Sequence, residues 1–275
     1  VFANGCNSET LVTSTGSPQG CCLSPLMYIL YTDDCRSKYD NRFLVKFSDD
    51  TALISLLFGS EQEHGPALDE FVQWCDRSFL DLNVTKTKEM VFDFRCSKNA
   101  PKLTFVHEQE VETVSQYKYL GTIIDEKLRW DANTEAIAKK GQQRLYFLRK
   151  LNSFAVDRKF LTLFYKSFIE SILTFSFICW FGSLSVKNKK ALQKIVAVSS
   201  KIIGEPQRSL QTFFEHQVLR KARCILTSPV HVLHPEFERL PSGRRFRSQA
   251  CRTNRRKFSF IPLAITLLNK DADCN

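Results

Sequence analysis

The apolar pattern of the sequence changes near residue 125, and this change constrains the fold more than any other feature. Before it, short apolar runs are separated by Gly, Pro, Asn and Asp, which is typical of strands and turns. After it, apolar residues recur at the spacing of amphipathic helices. We therefore predict an α+β fold with a mixed part at residues 1–125, a helical part at 126–228 and an Arg-rich tail at 229–275.

The mixed part contains two predicted helices and a predicted hairpin. Ser24 is a typical N-cap before Pro25, and the two residues predict a helix over Pro25–Cys35. An amphipathic helix is predicted over Pro66–Leu80, with Phe79 on its apolar stripe. Strands are predicted at Phe43–Phe47, Thr51–Phe58, Glu89–Phe94, Leu103–Val106 and Tyr117–Ile124. The first two strands flank a turn at Ser48-Asp49-Asp50, so a hairpin is expected there.

The helical part contains four predicted helices, and the tail is predicted to be extended. The helices run from Asn133 or Thr134 to Leu151, from an Asp157 cap to Phe181, from Val186 to a stop at Gly204, and from Ser209 to Leu226. Pro and Gly punctuate the tail, which is expected to close with a short helix after Pro262. The longest apolar stretch contains a lysine and a glutamate, so no membrane span is expected.

The formal net charge of +10 is distributed unevenly along the 275 residues. Residues 1–125 carry 11 Lys and Arg against 18 Asp and Glu, whereas residues 126–275 carry 28 against 11. A basic half of this kind favours a polyanionic partner, most often nucleic acid. A soluble basic surface without a partner explains the same composition, so charge alone leaves both interpretations open.

The ten cysteines are not arranged as metal ligands or as a disulfide framework. They include no CxxC pair, which a ribbon-type zinc site requires. The Cys and His residues that lie nearest one another are Cys224, His231, His234 and Cys251. Because their spacing matches no common zinc finger, we expect free and mostly buried thiols in a reducing compartment.

Asp49 and Asp50 are the strongest candidates for chemistry in the mixed part. They lie at the predicted turn between two apolar strands, where both carboxylates can approach one point. Their mutual repulsion is offset when a cation binds between them, and Mg²⁺ prefers carboxylate and phosphate oxygens. The alternative is an ordinary solvated Asp-Asp turn, which is common.

Three further motifs accompany this turn. The loop Gly16-Ser17-Pro18-Gln19-Gly20 precedes the first helix, where glycines permit close backbone approach to a phosphate or nucleotide, although an ordinary Gly/Pro turn has the same residues. The segment LNVTKTK contains Lys86 and Lys88, and YLG comprises Tyr119, Leu120 and Gly121. The alternatives are ordinary surface lysines for the first of these two motifs and apolar core residues for the second.

The order GSPQG, FSDD, LNVTKTK and YLG resembles the reverse transcriptase of non-LTR (LINE-type) retrotransposons. The resemblance implies a partial palm, made of an antiparallel sheet with helices, followed by an all-helical thumb. It implies that Asp49 and Asp50 bind metal, that Lys86 or Lys88 supplies a cation near the pyrophosphate, and that Tyr119-Leu120-Gly121 is the primer grip. It further assigns residues 16–20 to the nucleotide and template, and implies two Mg²⁺ ions, an RNA template, a DNA primer and deoxynucleoside triphosphates.

Two departures from this family pattern stand out. The family has a third metal-binding carboxylate in an F-x-x-D-type segment before the GSPQG loop, and the acid before Gly16 here is Glu9. The family's fingers have no counterpart in the sequence either. We therefore expect no polymerisation by this chain alone. The alternative is a catalytically inactive remnant that binds nucleic acid through its basic helical half.

Two other features remain open at the sequence level. The helical segment also resembles the amino-terminal part of AlkB-type dioxygenases, but no histidine has an Asp two residues later, so the iron triad of an oxygenase is absent and no oxygenase activity is expected. The tail combines basic and aromatic residues: Arg244, Arg245, Arg247, Arg252, Arg255, Arg256 and Lys257 with Phe246, Phe258 and Phe260. Such a cluster either binds single-stranded RNA or acts as a nuclear localisation patch.

Overall fold

The computed structural model describes residues 2–3, 6–7, 20–38, 41–58, 64–95 and 103–273. It divides into unit 1, Val1–Glu89 with Ser97–Thr113, and unit 2, Met90–Cys96 with Val114–Asn275. Helices and small two-stranded sheets both occur, which is compatible with the predicted α+β class. The YLG motif belongs to unit 2 and the Asp49-Asp50 turn to unit 1.

Unit 1 contains two helices and four small sheets among the residues that the structure describes. The helices are α1 (Leu23–Tyr31) and α2 (Gly65–Arg77). The antiparallel pairs are β1 (Phe2–Ala3) with β2 (Cys6–Asn7), β3 (Arg42–Phe47) with β4 (Asp50–Ser55), and β6 (Phe105–Val106) with β7 (Gln109–Glu110). A parallel pair joins β5 (Lys88–Glu89) to β8 (Glu112–Thr113).

Both helices of unit 1 have ends that differ from the predicted ones. α1 follows Cys22, which makes no side-chain cap, so the predicted N-cap role of Ser24 is wrong. α2 ends at Arg77, and Phe79 lies outside it with φ of +51° and 92% of its surface exposed. The Leu80 N–H bonds the Cys75 carbonyl at 3.0 Å and the Phe79 N–H bonds Asp76 at 3.2 Å. This is a Schellman motif, which stops the helix and places Phe79 in solvent instead of on the apolar stripe.

Unit 2 begins with a hairpin and continues as a helical bundle. The hairpin pairs β9 (Gln116–Tyr119) with β10 (Thr122–Asp125). The helices are α3 (Asp131–Ser153), α4 (Arg158–Phe164), α5 (Ser171–Leu173), α6 (Phe177–Trp180), α7 (Val186–Ile203), α8 (Leu210–Leu226), α9 (Asn254–Lys257) and α10 (Phe260–Asp273). A π-helical segment, Tyr165–Glu170, joins α4 to α5. Short 3₁₀ turns cover Phe181–Ser183 and His234–Glu236.

Asp125 connects the hairpin to the bundle. Its carboxylate accepts hydrogen bonds from the backbone N–H groups of Lys127, Arg129 and Trp130 at 2.9–3.1 Å. These bonds hold a tight loop in which Leu128 and Trp130 have positive φ values of +49° and +65°. The chain thereby turns directly from β10 into α3, whose Asn133 side chain accepts a hydrogen bond from Ile123 N–H.

The caps of the bundle helices follow the sequence signals closely. The Asp157 side chain accepts a hydrogen bond from Lys159 N–H, which confirms the predicted cap. The Ser209 side chain accepts one from Thr212 N–H at the predicted start of the last bundle helix. Gly204 has φ of +76° and ends α7, as predicted. The helix predicted from Asp157 to Phe181 is instead interrupted after Leu173, where Ser176 adopts φ of +50°.

The tail contains a longer helix than predicted and contributes to the core. α10 starts at Phe260, before Pro262, because Ala264, Ile265 and Leu268 form an apolar face that is buried in the bundle. Phe246 of the tail is also buried in this core, so it is not available to stack on RNA as predicted. At the close approach of bundle and tail, an added Cβ on Gly182 would lie 2.4 Å from the Phe258 carbonyl oxygen.

Two further predictions concern thiols and membrane spans. The cysteines whose surroundings are described are free, as predicted, but only Cys35 and Cys75 among them are buried, so the expected general burial is wrong. Among the described residues no single helix has the length and composition to cross a membrane. The segments Arg158–Leu173 and Phe177–Ser183 meet at a bend of 41°. They reach the required length and apolar composition when they are counted together.

Candidate functional site

The Asp49-Asp50 motif lies at the tip of the hairpin formed by β3 and β4. Phe47 pairs with Asp50, so Ser48 and Asp49 alone form the connection between the strands. The predicted three-residue turn is therefore one residue too long, and Asp50 is the first residue of β4. Ser48 has φ of +53°, the left-handed conformation that such two-residue connections require of at least one residue. Asp49 and Asp50 are both exposed.

The two faces of this hairpin have different neighbours. Leu44 and Leu53 are paired on one face and line a cavity of about 430 Å³ together with Phe71 and Trp74 of α2. Asp50 is on the opposite face, because side chains alternate along a strand and Asp50 pairs with Phe47. Neither Asp49 nor Asp50 lines this cavity, and Asp50 is on the face away from it.

The open face of the hairpin is apolar apart from Asp50. Phe43, Val45 and Phe47 follow one another at alternate positions of β3 and are 48%, 45% and 62% exposed. Ile54 is paired with Phe43 and is 46% exposed. Asp50 thus lies at the end of an exposed apolar surface.

Helix α1 lies near the Ser48-Asp49 turn. Burial raises the pKa of Tyr28 on α1, and the nearby negative charge of Asp49 raises it further. Lys46 of β3 donates to the carbonyls of Thr32 and Cys35, which fixes the end of α1 to the hairpin. Gly20, with φ of +81°, lies just before α1. The other residues of the loop, Gly16 to Gln19, lie outside the described residues.

No group of three His, Cys, Asp or Glu that could hold a metal is present in the described part of the chain. The described part includes Cys224, His231, His234 and Cys251, and no three of these residues come together as ligands for a zinc ion. A second acidic pair, Asp33-Asp34, lies in the turn after α1, and Asp33 forms an ion pair with Arg36 at 3.0 Å. A metal at Asp49 and Asp50 therefore requires further oxygen ligands, for which nucleotide phosphates are suited.

The two candidate lysines have different surroundings. Lys88 begins β5 and its ammonium group bonds the Glu112 carboxylate at 2.6 Å and the Thr85 carbonyl at 3.0 Å. Lys86 lies in a turn held by the Asn83 side chain, which accepts from Lys86 N–H at 3.1 Å. The Lys86 ammonium is exposed and forms no ion pair with any acid that the structure describes. Lys88 is thus held by structural bonds, whereas Lys86 is available to a ligand.

The YLG motif forms the turn of the β9–β10 hairpin. Tyr119 pairs with Thr122, so Leu120 and Gly121 are the two connecting residues. Their φ values of +45° and +85° are those of a type I′ turn, which explains the glycine. A Cβ on Gly121 would lie 3.2 Å from the Phe175 ring, so the turn also packs against the bundle. Backbone geometry and packing therefore explain why Leu120 and Gly121 occur at this turn, whether or not the motif contacts a primer.

Unit 2 contains an aromatic groove that the sequence did not predict. It is a cavity of about 510 Å³ between α3 and the α4–π segment, lined by Gln143, Arg144, Phe147, Lys150, Leu151, Phe164 and Phe168. Its two walls come from different helices. The phenylalanines at positions 160, 164 and 168, spaced by four, are the sequence signal for the second wall.

The sequence matches two family models. Residues 1–124 match the family described as reverse transcriptase (RNA-dependent DNA polymerase). Residues 130–171 match the amino-terminal part of alkylated DNA repair protein alkB homolog 8. The first match covers the GSPQG, FSDD, LNVTKTK and YLG motifs, and the second covers both walls of the aromatic groove.

Curated relatives agree with the first match. The chain is 31% identical over 153 residues to the probable RNA-directed DNA polymerase from transposon BS of Drosophila melanogaster, which is 51% of this chain and 17% of the relative. It is 28% identical over 134 residues to the probable polymerase from transposon X-element of the same species, covering 45% and 14%. The RNA-directed DNA polymerase from mobile element jockey of Drosophila funebris is 22% identical over 173 residues, covering 58% and 19%.

These relatives are much longer than the chain, which spans less than a fifth of each of them. No solved structure matches the chain. The motifs, the match over residues 1–124 and the transposon polymerases all point to one family. Residues 1–124 are thus similar to the reverse transcriptase family, and the chain is similar to a segment of RNA-directed DNA polymerases from non-LTR transposons.

Proposed function

We propose that unit 1 supplies part of a reverse transcriptase palm and that the Ser48-Asp49 turn presents Asp49 and Asp50 to catalytic Mg²⁺. The observation that carries the proposal is the turn itself. It is a two-residue connection that exposes two adjacent carboxylates at the tip of a hairpin, within the segment that matches the reverse transcriptase family. The substrates are an RNA template, a DNA primer and deoxynucleoside triphosphates.

Each carboxylate has a distinct position for this role. Asp49 lies in the connection itself and is free to approach a metal from the tip of the hairpin. Asp50 projects from the open face of β4. Asp49 and Asp50 would hold the metal, and a bound Mg²⁺ would supply activation of the primer 3′-hydroxyl and stabilisation of the leaving pyrophosphate.

Lys86 is the better candidate for the cation near the pyrophosphate. Its ammonium is exposed, whereas that of Lys88 is already bonded to Glu112 at 2.6 Å. A cation that neutralises developing charge must be free to approach the phosphates. Lys88 instead connects β5 to β8.

The remaining motifs have supporting roles in this proposal. The loop from Gly16 to Gly20 contacts the incoming nucleotide and the template, and α1 positions it. The turn at Leu120-Gly121 is the primer grip, and the bundle of unit 2 is the thumb. The packing of Gly121 against Phe175 supports a rigid turn, which a primer grip requires.

Primer extension tests the metal role. The enzyme is a relative's full-length polymerase in which residues 1–124 of this chain replace the matching segment. We expect D49N/D50N to abolish Mg²⁺-dependent extension of a DNA primer on RNA, because amides bind Mg²⁺ far less well than carboxylates. The matched control is D33N/D34N, which removes the same charge from the exposed pair after α1 and should retain activity. Equal loss in both variants would overturn the proposal.

The lysine assignment is tested in the same polymerase. We expect K86Q to slow single-nucleotide incorporation by about 100-fold to 1,000-fold, in the range of a lost electrostatic or proton-transfer contribution. K88Q removes an ion pair in which Glu112 is 66% exposed, so it should change stability by under about 1 kcal/mol and leave the rate nearly unchanged. The reverse pattern would assign the role to Lys88.

A second candidate function is nucleic-acid binding by unit 2 without catalysis. The excess of basic residues beyond position 125, 28 against 11, favours it. It predicts RNA binding that weakens steeply with salt and is unaffected by D49N/D50N. Loss of binding in D49N/D50N would contradict this second function, and extension by the polymerase described above would favour the first.

A further inference from the structure

We propose that the groove between α3 and the α4–π segment is a binding site for single-stranded RNA, in which exposed phenylalanine rings stack on bases and flanking basic groups bind phosphates. The site depends on the nucleic-acid binding proposed for unit 2 and is independent of the metal turn. It differs from a basic face that follows the backbone of a duplex, because aromatic side chains line both of its walls.

The aromatic residues of the groove face one another from two helices. Phe147 is on α3 and is 56% exposed. Phe164 and Phe168 lie on the second wall, where their rings stack with centroids 4.8 Å apart and Phe168 is 47% exposed. Large apolar side chains that stay half exposed in a well-packed bundle mark a surface that binds something.

The packing behind the groove fixes these rings. Leu148, next to Phe147, and Tyr165 and Ile169, on either side of Phe168, are fully buried in the core. The second wall includes the π-helical segment Tyr165–Glu170, and such segments are frequent at functional sites. The rings are therefore held on rigid elements, so binding costs little side-chain ordering.

The polar groups of the groove select an anionic ligand. Arg144 lies 5.5 Å from the centroid of the Phe168 ring and Lys150 lines the same wall of α3. Neither forms an ion pair with an acid among the residues that the structure describes, and no Asp or Glu lines the groove. An acidic strand with aromatic bases satisfies both the rings and the cations, whereas a duplex hides its base faces.

The size of the groove also fits a strand. Its volume of about 510 Å³ accommodates one or two nucleotides of a strand. Stacking on Phe147 or Phe168 is sequence-tolerant because every base has a π-face. We therefore expect binding of RNA with little sequence preference.

The test is fluorescence anisotropy with the full chain and an unstructured RNA of about 12 nucleotides, within the length that such sites cover. We expect F147A and F168A each to weaken binding about tenfold without changing its salt dependence, since they remove stacking and no charge. F168W should restore the affinity. An abasic strand of the same length should bind weakly and be insensitive to F147A and F168A.

The basic residues are tested separately through the salt dependence. R144Q/K150Q removes two phosphate contacts and should reduce the slope of log K against log salt by about 1.4 for a single strand. This variant keeps both rings, so it distinguishes charge from stacking even if an aromatic variant folds poorly. An unchanged slope would overturn the assignment of Arg144 and Lys150.

The matched control is F258A in the Arg-rich tail. Phe258 is 41% exposed and has the Lys257 ammonium 5.9 Å from its ring, so it has the same chemistry at another place. We expect F258A to bind like the wild type. If F258A alone weakens binding, the RNA site lies in the tail. If duplex and single-stranded RNA bind with equal affinity, the chain binds phosphates without stacking on bases. Either result overturns the groove proposal. If the wild-type chain binds no RNA, the second function proposed above fails as well.

Discussion

Gly182 provides a sharp test of how the tail is joined to the helical bundle. A Cβ at this position would lie 2.4 Å from the Phe258 carbonyl oxygen and 3.2 Å from the Phe214 ring. The carbonyl belongs to the backbone, so it cannot rotate away, and the segment must move by about 1 Å before ordinary contact is restored. Because α10 follows directly and buries Ala264 and Ile265, this movement loosens part of the core.

We expect G182A to lower the free energy of unfolding by about 2–3 kcal/mol, the range of overpacked cores. Chemical denaturation of unit 2 measures the change. Trypsin should also cleave the Arg-rich segment between Arg244 and Lys257 faster in the variant, because Phe258 is displaced. The control is G65A, where an added Cβ meets nothing within 4 Å and little change is expected. A G182A variant as stable as the wild type would refute the close docking of the tail.

Three further predictions concern single residues. F79G should raise the free energy of unfolding of unit 1 by about 0.5–1 kcal/mol, because Phe79 is strained at φ of +51° and 92% exposed; a loss of stability would contradict this. Y165F should stabilise unit 2 by about 1 kcal/mol in thermal or chemical unfolding, since the buried Tyr165 hydroxyl has no hydrogen-bond partner among the described residues; destabilisation would reveal a missed partner. Burial raises the pKa of Glu170 above its ordinary 4.5, against the lowering effect of Lys166 and Arg208. The native state therefore holds this proton more tightly than the unfolded state, so the contribution of Glu170 to stability is full below pH 4.5 and is lost as pH rises through the raised pKa. The free energy of unfolding of E170Q should therefore increase relative to that of the wild type as pH rises through the pKa of Glu170. A difference that stays constant over this pH range would contradict the burial of the carboxyl group.

Local signals predicted much of the fold. Caps such as Asp157 and Ser209, and the stop at Gly204, act within one helical turn and could be read directly. The interruption after Leu173 and the length of α10 could not, because both depend on packing between distant parts of the chain. Apolar spacing alone does not distinguish one continuous helix from two that meet at a bend.

The candidate site also combines features that local sequence predicted with features that depend on distant parts of the chain. The two apolar strands around Ser48-Asp49-Asp50 predicted the hairpin and its carboxylates, and the order of the short, contiguous motifs predicted the family. The sequence left Lys86 and Lys88 equivalent, and only the ion pair with Glu112, 24 residues away, separates them. The aromatic groove was missed because its two walls come from different helices.

The most direct test of the central claim is to locate the divalent metal on the protein. Fe²⁺ substitutes for Mg²⁺ at oxygen sites, and with ascorbate and peroxide it cleaves the backbone near the place where it is bound. With nucleotide present, we predict cleavage of the polymerase carrying residues 1–124 at the Ser48-Asp49 turn, lost in D49N/D50N and retained in D33N/D34N. Cleavage at Asp33-Asp34 instead, or cleavage at the hairpin that persists in D49N/D50N, would contradict the account.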